Sequence, residues 1–342
     1  MLPDMNKCNK LITAFFAAFF LAACQQGGDE TELSGAAQGT TYHIKMVLNG
    51  LEVKPEELHK AVEDVFADID AKLSNYREDS EISQLNRQKS SEWLPVSREI
   101  AELVSIAKSV SANSKGCLDL TVKPVFDLWG FSRHEMKVPE QKDIDRVLTH
   151  VGMAKIALDE EHLRLLKKDP EVGIDLSSVA QGYTVGAIAN LLESKGIQNY
   201  MVEIGGEMKV RGRKANGDEW RIAIEKPTPF AREVQKIISI HQEDGEAVMT
   251  SGTYRNFFEE NGKVYSHIIN PQTGKPVDHK LLSATVLHDD PTWADAWSTA
   301  LLCLGEDEGY KVAEANQLRA LFIYHDGKEL KERISSELAK KP

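Results

Sequence analysis

The stretch PTWADAWSTALLCLG, residues 291–305, constrains the fold more than any other part of the chain. Ala294, Ala296, Trp297, Ala300, Leu301, Leu302 and Leu304 make it small and apolar on most sides, the pattern of a helix that is buried rather than merely amphipathic. Asp295 and Thr299 are its polar exceptions, four residues apart and therefore on one face. One reading is local: Thr292 as N-cap and Asp295 as the N3 residue of a capping box, with Thr299 back-bonded to a carbonyl one turn earlier. The other gives the carboxylate and hydroxyl a shared task that the helix itself does not require. The rest of the chain has to choose between them.

The first residues stand apart from the fold. Lys7 and Lys10 precede the apolar run LITAFFAAFFLAA (11–23), which is too short to cross a bilayer and suits the core of a signal peptide. The run ends in LAAC, which resembles a bacterial lipobox with cleavage before Cys24 and lipid on that cysteine. Residues 1–23 are therefore expected to be a signal peptide and 24–35 a flexible lipidated tether. Gln25, where an aspartate would favour the inner membrane, prefers an outer-membrane anchor facing the periplasm. Cleavage removes Lys7, Lys10 and Asp4 and takes the formal net charge from −12 to about −13. So acidic a chain, with no basic patch interleaved with aromatics, is not a nucleic-acid binder.

Four cysteines give no disulfide framework: Cys8 leaves with the signal and Cys24 carries lipid. Cys117 and Cys303 both sit in apolar stretches far apart in sequence and are expected as reduced core residues, although an oxidising compartment leaves a bridge open. The chain has no CxxC and no HExxH, the spacings of a zinc site.

The body of roughly 300 residues suits one large or two closely packed domains. Helical periodicity marks 55–74, 97–116 and 181–196, the last two closed by glycine. Strand patterns mark TYHIKMV, KIALD, EVGIDL, YMVEIG, WRIAIE, VQKIISI and LSATVLH. Helices and strands mix without a βαβ beat, so the expected class is α+β, or mixed α/β. The charged tail KELKERISSELAKKP reads as a solvated terminus. Between these elements lie polar, turn-rich segments. LSNYREDSEISQLN displays Tyr76, and GCLDLTVKPVFDLWGF sets Asp119 among apolar strand-like residues. GIDLSSVAQGY has the form of a strand end followed by a helix start, a natural anion site, or simply a helix capped by Ser177 or Ser178. EIGGE places a diglycine at a strand end, where backbone approaches a ligand closely. TSGTYRNFF and YSHIINPQTGKPV complete the set, the second with His267.

Taken in this order, LSNYREDSEISQLN, CLDLTVKPVFDLWGF, IDLSSVAQGY, TSGTYRNF, SHIINPQTGKPV and WADAWSTALL resemble the successive signatures of the ApbE family, the FAD:protein FMN transferases, over residues 36–325. The resemblance implies an ApbE-like domain over 36–330, a tail over 331–342, and an FAD site in the cleft between two closely packed subdomains. It puts the metal ligands at the Asp295 and Thr299 side chains and a main-chain oxygen of Ser178. The ion would be Mg²⁺, or Mn²⁺ in its place, since hard oxygen donors suit it. FAD contacts would fall on Gln38, Tyr76, Cys117, Leu118, Asp119, Asp175, Gln181 and Ile269. His267, in the family's H-x-I-[DN]-P turn, would be the general base. Gln38 stands where the family usually has methionine, and Gln181 where lysine or glutamate is common.

The activity so implied is Mg²⁺-dependent transfer of FMN from FAD to a threonine or serine hydroxyl of a partner redox protein, with AMP released. Subunits of sodium-pumping NADH:quinone reductase are the kind of target implied. A hydrolase using the same site would give FMN and AMP from FAD, and a flavin-binding lipoprotein would do neither.

Overall fold

The computed structural model describes residues 30–133, 135–228, 233–240 and 244–340. The expected signal peptide (1–23) and the expected lipidation site Cys24 lie outside the described residues. From the N-terminus come β1 (Glu30–Ala37), β2 (Thr40–Val47), α1 (Pro55–Leu73), α2 (Glu81–Arg87), β3 (Trp93–Pro95), α3 (Arg98–Asn113), α4 (Lys123–Leu128) and α5 (Gln141–Leu148). Next are β4 (Ile156–Asp159), β5 (Arg164–Lys167), α6 (Ser177–Ser194), β6 (Tyr200–Ile204), β7 (Glu207–Arg211), β8 (Trp220–Glu225), β9 (Val234–Ile240) and β10 (Glu246–Gly252). The chain closes with β11 (Phe257–Glu260), β12 (Lys263–Ser266), β13 (Ile269–Asn270), β14 (Lys275–Pro276), β15 (Leu281–His288), α7 (Pro291–Ala315), β16 (Arg319–Asp326), β17 (Glu329–Ile334) and α8 (Ser336–Ala339).

An antiparallel sheet of eight strands, in the order β1-β2-β6-β7-β10-β15-β16-β17, is the frame. Its central strands are apolar on both faces because both are covered. Met249, Ala284, Val286, Ala320 and Phe322 point into the main core with α1, α3, α6 and α7. Their strand neighbours Val248, Leu287, Leu321 and Ile323 alternate to the other face, where the β8–β9 hairpin packs Trp220, Ile222 and Ile224 on them. A second, smaller unit gathers Val125, Trp129, Phe131, Ile144 and Ile269 from α4 and the turn that follows it, α5 and β13. Trp129 is tied across it by an Nε1–H bond to the Gly274 carbonyl at 2.8 Å. The fold is α+β, as the sequence indicates.

The helices form where the sequence places them, for local reasons. α1 has proline in its first turn with Glu56 and Glu57, and buries Leu58, Val62, Phe66, Ile69 and Leu73 at helical spacing. In α3, Ser97 accepts the Ile100 N–H. α7 corrects the capping-box reading of its first turn. Its N-cap is Asp290, whose side chain accepts the N–H groups of Thr292 and Trp293, so neither Thr292 nor Asp295 is needed as a cap. α6 begins at Ser177, four residues before the expected 181, with Leu176 at the cap and the Ser177 N–H bonded to Asp175 Oδ1; neither serine caps it.

Other segments also depart from expectation. EVGIDL is not a strand, making one isolated bridge from Gly173 to Val122. Asp119 lies in an irregular segment rather than among strand residues. The segment read as tether becomes strand β1 at Glu30, and the tail read as solvated contributes β17 at the sheet edge. Their charged residues face water on edge strands, and charge there blunts edge-to-edge pairing.

Helices α6 and α7 cross closely in the core. A Cβ on Gly182 would meet the Pro291 carbonyl oxygen at 2.4 Å and Asp295 Cβ at 2.7 Å, whereas one on Gly186 would meet only Pro291 Cγ at 3.4 Å. Gly182→Ala is therefore expected to lower the unfolding free energy by about 2–3 kcal/mol through overpacking. Gly186→Ala should be neutral or slightly stabilising through helix propensity. Denaturant unfolding of the two variants checks this, and equal midpoints would refute the tight crossing.

Candidate active site

That crossing forms one wall of a cavity of about 320 Å³ at the junction of the two units, within the ordinary size range of small-molecule sites. Of the residues singled out in the sequence, Cys117, Leu118, Asp119, Asp175, Ser178, Gln181, His267, Ile269, Asp295 and Thr299 all line it. Gln38 and Tyr76 do not border it. Gln38, in the β1–β2 turn, donates from Nε2 to Asp70 Oδ1 at 3.1 Å. Tyr76 is 68% exposed, on a loop that Asn75 ties to the rim residue Ser177 at 3.5 Å.

Asp295 is buried, and its Oδ2 accepts the N–H of Gly182 at 2.8 Å. Gly182 is four residues on from Ser178, so this N–H is the ordinary helical partner of the Ser178 carbonyl. Asp295 competes for that donor, and the Ser178 oxygen keeps lone-pair capacity for another partner. Residues 178 and 295, far apart in sequence, thus meet through one backbone N–H. Thr299, one turn along α7, is 3.1 Å from Ser251 Oγ.

A second carboxylate, Glu207, enters the same cavity from the start of β7, with Oε2 accepting the Thr250 N–H at 3.0 Å. The two-residue turn before it, Gly205-Gly206, has φ of 61° and 100°, which glycine adopts without strain. Burial pushes Asp295 up to about 7. Burial, then the negative charge of Asp295, pushes Glu207 well above the usual carboxylate range. Two carboxylates in one wall, flanked by Thr299, Ser251 and a backbone carbonyl, form an all-oxygen donor set that fits a hard divalent cation such as Mg²⁺. Among the described residues no group of three or more His, Cys, Asp or Glu is placed to hold a metal, so water and ligand oxygens would complete the shell, as Mg²⁺ prefers.

His267 faces the cavity from the other unit. Its backbone N–H and its Nδ1 both lie 2.9 Å from the Asn256 carbonyl oxygen. A carbonyl only accepts, so Nδ1 carries the proton and Nε2 holds a free lone pair. Burial, outweighing that hydrogen bond, holds the imidazole below its ordinary value. It is therefore neutral near pH 7, the form a base needs. Asp175 is buried and raised by burial, and Asp119 is raised for the same reason. The Asp119 carboxylate is taken up by the N–H groups of Thr121 and Met153, so it shapes the loop it sits in. Gln181 Nε2 donates to the Ile204 carbonyl at 2.6 Å, fixing α6 to the end of β6.

Among the lining residues that sequence reasoning missed are Glu207, Ser251 and Arg255. Glu207 stood in view at the end of EIGGE, and Ser251 and Arg255 stood in TSGTYR, but no spacing joins them to residue 295. Arg255 is the one cationic side chain among the described lining residues; it donates to the Gly205 carbonyl and pairs with Glu225. Cys117 and Cys303, expected reduced, are bonded to each other, with Cα atoms 5.7 Å apart. The fold brings together two apolar positions separated by 186 residues, a proximity no local pattern encodes.

An α+β protein with an acidic, oxygen-lined cavity between a large sheet unit and a smaller one defines a class of ligand-transforming site. The model of the ApbE family matches residues 38–322, and the chain belongs to that family. It is 38% identical over 328 residues to the FAD:protein FMN transferase of Vibrio cholerae, covering 95% of this chain and 96% of that one. To the FAD:protein FMN transferase of Haemophilus influenzae it is 40% identical over 326 residues, 93% of each. The solved flavin transferase ApbE from Vibrio cholerae matches with a TM-score of 0.83 at 37% identity, over 91% of this chain and 98% of that one.

The sign of the Asp295 shift gives a test of this wall. A carboxyl raised in the folded state favours folding while protonated, and that contribution is lost as pH rises from the ordinary aspartate range through about 7. With divalent cations chelated, Asp295→Asn should be more stable than the parent at pH 8 by about 2 kcal/mol, the gap closing toward pH 5. Denaturant unfolding across pH measures it; a variant less stable than the parent at pH 8 would contradict the uncompensated carboxylate.

Proposed function

We propose that this protein is a Mg²⁺-dependent FAD:protein FMN transferase that attaches FMN to a threonine or serine hydroxyl of a partner redox protein and releases AMP. The observation that carries the reading is one cavity bordered by Asp295, Thr299, Ser178 and a neutral His267, in a chain whose relatives bear that name. Asp295 and Thr299 side chains and the Ser178 carbonyl would hold the cation. When bound, Mg²⁺ (or Mn²⁺) supplies positive charge to the pyrophosphate oxygens as negative charge develops on them.

The remaining roles belong to the chain. Cys117, Leu118, Asp119, Asp175, Gln181 and Ile269 form the wall along which FAD lies, and Tyr76 and Gln38 stand on flanking loops. Arg255 is placed to meet a phosphate charge. The acceptor hydroxyl attacks the FMN-side phosphorus, the bond to the AMP phosphate breaks, and His267 Nε2 takes the hydroxyl proton. AMP leaves with its phosphate. Anchoring through Cys24 on the periplasmic side would hold the enzyme beside membrane targets such as subunits of sodium-pumping NADH:quinone reductase, raising their effective concentration.

Incubating the protein with FAD, Mg²⁺ and a candidate acceptor domain should give an acceptor heavier by one FMN, with stoichiometric AMP. Free FMN with unmodified acceptor would instead mean hydrolysis, and unchanged FAD would mean binding alone. His267→Ala should lower kcat by roughly 10²–10⁴-fold while FAD still binds. Asp295→Ala should abolish transfer at all Mg²⁺ concentrations and leave the circular dichroism spectrum unchanged. Full activity in either variant would remove that residue from the mechanism.

A further inference from the structure

We propose that the Cys117–Cys303 disulfide is a positioning device: it sets the 117–119 loop against α7, and opening it weakens FAD binding. The inference rests on the flavin reading above. Both cysteines are buried and both line the cavity. Cys303 lies one turn beyond Thr299 and two beyond Asp295, on the same face of α7. Cys117 opens the Cys117-Leu118-Asp119 run on the facing wall. The bond therefore joins the segment assigned to the flavin to the helix assigned to the cation, inside the site itself.

The loop's hydrogen bonds lead elsewhere. The Cys117 N–H bonds to the Ser114 carbonyl and the Leu118 N–H to Ser114 Oγ, both at the end of α3. Asp119 is held by Thr121 and by the Met153 N–H. Toward α7 the loop has, besides the disulfide, the ion pair Lys115–Glu308 at 2.5 Å, whose side chains are exposed, and an exposed pair holds little. Leu118 and Leu120 share the apolar core with Ala296, Ala300 and Leu301 of α7, but apolar packing is non-directional, and among the described residues the disulfide is the one covalent tie that fixes the cavity end of the loop against Thr299 and Asp295.

Reduction by a dithiol adds two electrons and two protons, breaks the S–S bond and leaves thiols on Cys117 and Cys303, while the reductant becomes a cyclic disulfide. Two non-bonded sulfurs then settle roughly 1.5 Å farther apart than the bonded pair. Misplacement of about that size costs on the order of a hundredfold where groups must be held in register. A more modest loss of FAD affinity, about tenfold, is expected here because the Asp119 end of the loop stays anchored.

The test measures FAD affinity by flavin fluorescence on the folded body, oxidised, treated with dithiothreitol, and reoxidised. Circular dichroism and melting temperature are followed in parallel. The dissociation constant should rise about tenfold on reduction and return on reoxidation. The Cys117→Ala/Cys303→Val pair, which restores volume without a bond, should bind weakly and ignore dithiothreitol. A purely structural bond would lower the melting temperature and leave the dissociation constant of folded protein unchanged; that result overturns the proposal. So do two free thiols on unfolding the oxidised protein under non-reducing conditions. Failure of the oxidised protein to bind FAD at all would sink the flavin reading and this inference together, whereas binding indifferent to the bond sinks only the inference.

Discussion

The contact on which the site depends is the hydrogen bond from the Gly182 N–H to Asp295 Oδ2. It exists only because α6 and α7 cross with no side chain between them. Glycine at 182 permits the approach, Pro291 begins α7 where its carbonyl faces that glycine, and Asp290 caps the helix so that Asp295 is free. An acid this deep in an apolar helix is costly unless it is hydrogen-bonded or paired. Here it has one backbone donor and borders the cavity.

The sheet supplies the rest by register. β7 and β10 pair beside each other, so Glu207 and the run Thr250-Ser251 arrive on the cavity side of adjacent strands. β10 lies under α7, and Ser251 consequently reaches both Ser298 and Thr299. The smaller unit adds His267 from the far side. It is fastened to its own turn, since both N–H groups of His267 converge on the Asn256 carbonyl. Each wall is hydrogen-bonded within itself, and the cavity is the gap between the walls.

What was legible in the sequence follows from the range of the signal. Asp295 and Thr299 announced themselves because they break a periodic apolar pattern within one helix. The helices α1 and α3 and the strands β2, β6, β8, β9 and β15 were legible because period and capping are local properties. The Cys117–Cys303 bond was not, because two small apolar positions in different elements look like core whether or not they touch. Glu207 was not, because its meaning comes from Asp295 across the sheet rather than from EIGGE. The charged ends around 30–35 and 329–334 read as solvated, and half of that is right: their side chains do face water, but their backbones close the sheet, and polarity reports only on the side chains.

One physical cause prepares both kinds of group in the cavity. Removing water disfavours whichever form is charged. For Asp295 and Glu207 that form is the carboxylate, so burial raises both acids. For His267 the charged form is the imidazolium, so the same dryness yields the neutral ring with its lone pair available. A wetter cavity would ionise the acids without a cation and bring the histidine nearer to protonation. The raised acids on one wall and the lowered histidine on the other therefore follow from a single cause, the burial of each group.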